Sequence, residues 1–287
     1  MIDSHMIETR VVLILRPGTK TNARSIFIDK NRLPHYNGCR TIHQIKTRNE
    51  NMGTIYLIRH GQASFGQANY DALSDKGKHQ SRLLGTYLRR LNLSFDLIVT
   101  GTLTRHLETE EAFFEGYADN GRLRIPAMRM EAFNEYDSEK IIAAYIGLIT
   151  AETPSFQADV SQMFQSKRSF QLVFEKIMGR WVEGADHIPG IIKWQDYKAT
   201  VNDGITRIMA EHGKGRKIAI FTSGGPVGIA VQRALNLSDQ DAIRVTWQVV
   251  NSSLSRFKCT RDRIMMSTFN EHPHLEEARD KGLVTYR

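Results

Sequence analysis

The sequence of 287 residues predicts an α/β fold, a three-layer α/β/α sandwich built on a mainly parallel sheet with a helical cap inserted into it. Short apolar runs of the kind found in strands buried on both faces alternate with amphipathic helical segments, which is typical of parallel sheets covered by helices. A long stretch with helical spacing and no strand signal separates the early strands from the later ones. This stretch predicts the inserted cap.

The first strands and helices follow one another from residue 54. Residues 54–58 are β-branched and apolar, as expected of a buried strand, and they end at a polar Arg-His-Gly run. Ser74 is placed to cap a helix whose apolar residues recur at helical spacing. Residues 96–100 then predict a second strand, and a helix through Phe114 follows it.

The alternation resumes near the end of the chain. Residues 217–221 predict a strand, residues 223–226 a tight turn and residues 227–237 a helix. We interpret three further segments as strands, the last at an edge of the sheet: residues 244–250, 254–258 and 263–269. Ligands of such sheets bind beyond the carboxyl ends of the strands, so the residues just after each strand are the candidates for function.

The basic charge of the chain is concentrated at one end. Residues 1–52 hold nine Lys and Arg against four Asp and Glu, and so account for most of the net charge of +8. Because this stretch lacks sustained periodicity, we expect an N-terminal extension that is poorly ordered or non-native. Residues 53–287 are expected to form one domain, with the helical cap at about residues 136–212. This nearly neutral domain does not suggest a nucleic-acid partner.

Several classes of protein are excluded by composition and motifs. The longest aliphatic run, residues 11–15, is far shorter than the roughly 20 residues that cross a bilayer, so no membrane partner is expected. Cys39 and Cys259 form neither a zinc motif nor a disulfide framework, which favours a reducing, cytoplasmic location. His272 and His274 lack a third metal ligand, and nucleotide-binding glycine motifs are absent from the sequence. We therefore expect no metal and no cofactor, and the oligomeric state stays unknown.

Three polar clusters follow the predicted strands and would meet at one rim of a parallel sheet. Guanidinium groups match phosphate oxygens as a rigid fork of donors, and a neutral imidazole can act as a nucleophile. Glycines let the backbone approach a ligand closely, and a helix N-terminus favours an anion. The sequence therefore predicts a phosphate site formed by Arg59-His60-Gly61, Thr104-Arg105 and Ser223-Gly224-Gly225.

The order of these clusters resembles the histidine phosphatase superfamily, which includes cofactor-dependent phosphoglycerate mutases and many small phosphatases. The resemblance covers about residues 53–275. Its Arg-His-Gly signature is similar to residues 59–61, and its Leu-Ser-x-x-Gly-x-x-Gln helix start to residues 73–80. Residues 102–109 resemble the family's arginine-bearing segment, and residues 133–135 its acid-bearing segment. Residues 251–253 and 270–275 are similar to its closing strands and tail.

This resemblance implies roles for particular residues. His60 would be the nucleophile that accepts the phosphoryl group, with Arg59 and Arg105 holding its oxygens. Glu135 would protonate the leaving oxygen and then help water to attack the phosphohistidine. Gln62, Ser223 and Gly224 would complete the phosphate site. The implied activity is that of a metal-independent phosphomonoesterase, with a phosphorylated small molecule or a phosphoprotein as substrate.

The chain departs from the family pattern at three positions. Ser223 stands where the family usually has a second histidine, and a hydroxyl carries no charge, which favours slow or altered catalysis. His106, where the family prefers alanine, is interpreted as a helix-surface residue, with partial compensation for Ser223 as the other possibility. Gly66 replaces an asparagine of many family members, and the Trp-Asn pair of a mutase is missing.

Two alternatives to hydrolysis remain open at this point. One is a phospholigand-binding member of the same fold with little turnover, which would not need His60. The other is a phosphotransferase of the phosphoglycerate mutase type, which would need a bisphosphorylated compound to load the histidine. Phosphomonoester hydrolysis is the prediction that the motifs favour.

Overall fold

A computed structural model of the chain describes residues 52–64, 71–118 and 125–286. The described residues form a six-stranded mixed sheet with the strand order β3-β2-β4-β1-β5-β6. Strands β3, β2, β4 and β1 are parallel to one another. Strand β5 pairs antiparallel with β1, and β6 pairs antiparallel with β5. The strands are β1 (Gly53–Arg59), β2 (Leu97–Thr100), β3 (Ala127–Arg129), β4 (Lys217–Thr222), β5 (Leu254–Cys259) and β6 (Ile264–Glu271).

Helices occupy most of the remaining described chain. Residues 136–212 contain four of them and no strand. In chain order, the α-helices are α1 (Asp75–Arg90), α2 (Thr104–Tyr117), α3 (Ser138–Glu152), α4 (Phe156–Gln162), α5 (Lys167–Glu183), α6 (Trp194–His212), α7 (Gly224–Leu235), α8 (Asp239–Thr246) and α9 (Pro273–Glu277). Short 3-10 helices cover Glu131–Phe133 and Lys281–Leu283. Among the residues that the structure describes, every helix is too short or too polar to span a bilayer.

Alternate residues of the central strands pack against helices on opposite faces of the sheet. In β1, Tyr56 and Ile58 join a cluster with buried residues of α1 and α2. Ile55 and Leu57 belong to the larger cluster, to which helices α3 to α8 contribute. Because successive strand side chains point to opposite faces, this pattern yields three layers. The predicted α/β fold is confirmed.

One predicted element is wrong, and one strand of the structure was not predicted. Residues 244–250 were expected to be a strand, but α8 runs through Thr246 and a turn follows it. The Ser238 hydroxyl accepts a hydrogen bond from the backbone N–H of Asp241, at 3.1 Å, and this cap starts a helix that outweighs the β-branched residues behind it. Strand β3 was missed because three residues carry too little periodicity to predict a strand.

The predicted division of the chain into an extension and a domain stays a prediction. Residues 1–51 lie outside the described residues, as do Gly66 and Gln67.

Candidate active site

Three loops meet at the carboxyl ends of the neighbouring parallel strands β1, β4 and β2. The backbone N–H of His60 donates to Thr222 O at 2.8 Å, and that of Gly101 donates to Phe221 O at 3.0 Å. These loops border a cavity of about 1020 Å³. The structure brings five of the sequence-predicted site residues to its lining: Arg59, His60, Arg105, Glu135 and Gly224.

The His60 ring is buried and held in one orientation. Its Nδ1 lies 2.7 Å from the carbonyl oxygen of Gly61. A carbonyl only accepts hydrogen bonds, so Nδ1 carries the proton and Nε2 keeps its lone pair. The backbone carbonyl of His60 accepts from Asn251 Nδ2 at 3.2 Å and from Ser252 N at 3.1 Å, which fixes the backbone as well.

The surroundings of His60 keep its ring neutral. Burial is the largest cause, and together with the charges of Arg105 and Arg59 it lowers the pKa of His60 well below the usual 6.5. The hydrogen bond to Gly61 acts in the opposite direction and is weaker. At neutral pH, Nε2 is therefore an unprotonated nitrogen beside two guanidinium groups. That is the state that nucleophilic attack requires.

Arg105 is oriented by an aspartate that sequence reasoning did not select. Its Nη1 donates to Asp71 Oδ1 at 2.6 Å, and the other carboxylate oxygen accepts from the backbone N–H of Thr104 at 2.7 Å. Asp71 thereby binds both the first turn of α2 and the guanidinium group. On the other side of the site, Arg59 lines the cavity, and its Nη1 donates to the Val249 carbonyl.

The Glu135 carboxylate is held by donors from two helices. The backbone N–H of Gly225, in the first turn of α7, donates to Oε2 at 3.0 Å. The Tyr197 hydroxyl on α6 lies 3.2 Å from Oε1 and 3.0 Å from the Asn134 carbonyl oxygen, and these two acceptors share its one proton. Burial raises the pKa of Tyr197 well above 10, so its hydroxyl keeps its proton. A Cβ at Gly225 would lie 2.1 Å from Glu135 Oε1, and so only glycine permits this contact.

The helical spacing of Trp194, Tyr197 and Val201 predicts a core position for Tyr197. The ring is in the core, but its hydroxyl reaches the carboxylate. A buried tyrosine usually has a hydrogen-bond partner for its O–H, and this rule could have indicated a polar contact of Tyr197.

His106 is buried beside His60, which contradicts the interpretation of it as a surface residue. Its Nε2 lies 2.7 Å from Ser223 Oγ, and its ring centroid is 5.8 Å from that of His60. Burial and the charge of Arg105 lower the pKa of His106 to about 3. Ser223 is completely buried, and its hydroxyl contacts the neutral imidazole of His106. Its phosphate-binding role stays a prediction.

Gln62 holds the loop after β1 rather than facing the cavity. Its backbone N–H donates to Gln80 Oε1 at 2.9 Å, and its side-chain Oε1 accepts from Ser74 Oγ at 3.1 Å. Gln80 in turn donates to the carbonyl of Leu283, at 2.6 Å. The phosphate-binding role of Gln62 stays a prediction.

The N-terminus of α1 approaches the same loop very closely. A Cβ on Gly77 would lie 2.2 Å from the Gln62 carbonyl oxygen. The Leu-Ser-x-x-Gly-x-x-Gln segment thus packs against the loop that carries His60, which explains its glycine.

Metal-ligating side chains do not gather within the ranges that the structure describes: there, three or more His, Cys, Asp or Glu groups are nowhere arranged to hold a metal ion. His274 is buried on α9, and His272 Nδ1 contacts the Asn270 carbonyl at 2.7 Å.

We expect acid to destabilise the fold through its buried histidines. The pKa values of His106 and His274 are lowered to about 3, mainly by burial, whereas an unfolded histidine titrates near 6.5. Between these values the unfolded chain binds more protons, so the free energy of unfolding decreases as the pH is lowered, by about 1 kcal/mol per pH unit for each histidine. Full stability is retained above pH 6.5.

Urea unfolding at pH 6.0 and 5.0 measures this slope. His274→Gln should reduce the difference between the two pH values, and the exposed His187→Gln should leave it unchanged. Equal slopes in wild type and His274→Gln would contradict the assignment.

Comparisons with known proteins agree on one family and one fold. Residues 55–145 match the model of the histidine phosphatase superfamily, branch 1. The 2,3-bisphosphoglycerate-dependent phosphoglycerate mutase 2 of Lactiplantibacillus plantarum is 27% identical over 158 residues, which cover 53% of this chain and 59% of that relative. This chain therefore aligns with less than two thirds of that relative's length.

Two solved structures illustrate the shared fold. The phosphoglycerate mutase from Bacillus anthracis superposes with a TM-score of 0.55 at 14% identity, covering 82% of this chain and all of that one. The mycobacterial glucosyl-3-phosphoglycerate phosphatase gives a TM-score of 0.51 at 16% identity and covers 76% of this chain and 99% of its own. At these identities the likeness concerns the fold.

Proposed function

We propose that this chain, whose family match and fold support its place in the histidine phosphatase superfamily, is a phosphomonoesterase that works through a phosphohistidine at His60. Its substrate is a phosphorylated small molecule or a phosphoprotein. The observation that carries the proposal is the state of His60: buried, neutral, hydrogen-bonded through Nδ1 and flanked by Arg59 and Arg105.

The proposed reaction has two steps, and the bonds balance in each. In the first, His60 Nε2 attacks phosphorus, the ester P–O bond breaks and the leaving oxygen takes a proton from Glu135. In the second, water attacks phosphorus, the P–N bond breaks and the Glu135 carboxylate takes the proton of the water. Arg59 and Arg105 stabilise the phosphoryl oxygens, because phosphoryl transfer depends mostly on positioning and charge.

Hydrolysis has more support than the two alternatives. A phosphate-binding protein needs the arginines, but it needs neither a neutral nucleophile nor a carboxylate anchored by Gly225 and Tyr197. A mutase has to hold a second anionic group of its substrate, and the described cavity lining offers Arg59 and Arg105 as its basic side chains. Both of these lie at the phosphate end.

Trapping the intermediate tests the proposal. Wild-type protein in excess chelator is mixed with a labelled aryl phosphate and quenched in base within the first turnovers. We expect protein-bound label that is stable in base and labile in acid, as a phosphoramidate is, together with continued phosphate release. Turnover that stops in chelator, label held in an ester, or the absence of both label and phosphate release would overturn the proposal.

We also propose that Ser223 and His106 together fill the space of the second histidine that the family usually has. Ser223 Oγ lies only 2.7 Å from His106 Nε2, so the ring of His106 already occupies the space that a second imidazole at position 223 would need. Ser223→His alone should therefore overpack the site, which typically costs about 1–3 kcal/mol of stability. Overpacking would also displace the neighbouring His60, so kcat/KM of the Ser223→His variant should fall at least about tenfold.

The double variant Ser223→His with His106→Ala should regain stability and activity relative to Ser223→His. Thermal unfolding and kcat/KM of both single variants and the double variant complete the cycle. Purely additive effects would contradict the idea of a shared site.

A further inference from the structure

The cavity extends far beyond the phosphate end. Its volume of about 1020 Å³ is at the upper end of the range for sites that enclose a drug-sized ligand. The polar end is formed by His60, the two arginines and Glu135. The distant end is formed by helices α3, α4 and α5 and by the turn after α8.

The distant end is apolar on several sides. It is lined by Ile142, Ile146, Val160, Met163, Phe174 and Trp247. The Phe174 and Trp247 rings meet edge to face with their centroids 5.7 Å apart. These two rings are only half-buried, so a ligand can cover the area that they leave exposed.

Helix α3 explains why this surface exists. Ile141, Tyr145 and Ile149 form its buried face and pack into the core. Ile142 and Ile146, one position further round the helix, pack in part against the same core and also line the cavity. They are only half-buried, so part of their apolar surface stays open to a ligand in the cavity.

An exposed aromatic residue lies at the same end of the cavity. Phe164, between α4 and α5, is 84% exposed and contributes to the lining. An apolar ligand that leaves the cavity past Phe164 would cover this ring and remove apolar area from water.

The charges of the described lining set a limit on the substrate. Arg59 and Arg105 are its basic side chains, and both belong to the phosphate end. Asp71 belongs to the phosphate end as well, because it pairs with Arg105. Around the remainder, the charged side chains are acidic: Glu139, and Asp137, which pairs with Lys140. An alcohol that carries a carboxylate or a second phosphate would meet negative charge there, and an uncharged alcohol would not.

We infer that the substrate is the phosphomonoester of a large, uncharged, apolar alcohol, such as a long alkyl or isoprenoid chain. This inference rests on the proposed function and adds the substrate class to it. The phosphate is held by the arginines and the chain lies along Ile142, Ile146 and Trp247. Affinity then comes mainly from apolar area removed from water.

A homologous series of n-alkyl phosphates, from methyl to decyl and below their micelle-forming concentrations, tests the inference. We expect kcat/KM to rise about fourfold for each added methylene until the apolar end is filled. 3-Phosphoglycerate should be a poorer substrate than the long esters. Values that are flat along the series, or a preference for 3-phosphoglycerate, would overturn the inference.

A variant in the apolar lining makes the test specific. Ile146→Lys places a charge in that lining and should remove the rise with chain length. Ala151→Lys adds the same charge on α3 at an exposed position outside the lining, and it should keep the rise. Phenyl phosphate serves as the reference ester. If it is hydrolysed while the series is flat, the substrate class alone is wrong, whereas failure with every ester refutes the phosphatase itself.

Discussion

His60→Asn lowers kcat at least about a thousandfold if His60 is the nucleophile, as removal of a covalent nucleophile does in other enzymes. Asparagine can still donate to the Gly61 carbonyl, which His60 Nδ1 contacts at 2.7 Å, so the loop after β1 should keep its shape. What is lost is the unprotonated Nε2, for which asparagine has no equivalent nucleophile. Binding of inorganic phosphate should persist because Arg59 and Arg105 remain.

Three measurements establish this expectation: kcat for phenyl phosphate, base-stable label on the protein and the Kd for inorganic phosphate. The exposed His187→Asn is the matched control and should behave as wild type. A His60→Asn protein with turnover within tenfold of wild type would contradict covalent catalysis. If wild type and variant bind phosphate equally and neither turns over any ester, the chain is a phosphate-binding protein.

The pH dependence of the same reaction provides a second readout. Burial and the arginines lower the pKa of His60 well below 6.5, so protonation should not remove the nucleophile until the pH is well under that value. The acid limb of kcat/KM that reports His60 should accordingly lie below pH 6.5.

The sequence was sufficient to place His60 at the candidate site because the signals around it are local. Residues 54–58 are an apolar run with a polar stop, and in a parallel sheet such stops collect at one edge. The structure places His60, Arg105 and the first turn of α7 at that edge. Glu135 follows from its motif, although the donors that hold it come from residues 62 and 90 positions away, Tyr197 and Gly225.

The positioning residues were missed because their partners are distant in the chain. Asp71 shows no pattern until α2 is placed beside it. His106 did carry a signal: residues 106, 110, 113 and 117 lie on one face of α2, and Phe113 and Tyr117 are apolar. Helical spacing therefore predicts a buried His106, and the polar character of histidine obscured that prediction.

The misassigned strand at residues 244–250 has a similar cause. Its β-branched residues favour a strand, but the start of α8 at Ser238 decides the local conformation. Propensity is a weak prior that capping and tertiary packing override.

Glu135→Gln is expected to separate the two chemical steps of the reaction. Glutamine matches the shape of glutamate and can still accept from the Gly225 N–H, which donates to Glu135 Oε2 at 3.0 Å. It can neither give a proton to the leaving oxygen nor take one from water. Loss of a general acid or base costs about 100- to 10,000-fold in rate.

The size of the loss should depend on the ester. An alkyl alkoxide leaves poorly without a proton, so kcat for butyl phosphate should fall by the full factor. Nitrophenolate leaves without help, and for nitrophenyl phosphate the first step should survive while the second is slowed. The phosphohistidine should then accumulate to a large fraction of the protein, measured as base-stable label at steady state.

The exposed Glu131→Gln, in the 3-10 helix before Glu135, is the matched control and should leave both esters unaffected. Equal losses for butyl and nitrophenyl phosphate, with no increase in bound label, would mean that Glu135 only shapes the site. An ester-dependent loss together with the accumulated label would assign it both proton transfers, because those two results have no common structural cause. Tyr197→Phe removes the hydroxyl that Glu135 Oε1 shares with the Asn134 carbonyl and leaves the carboxyl group in place, so it should produce a weaker form of the same pattern.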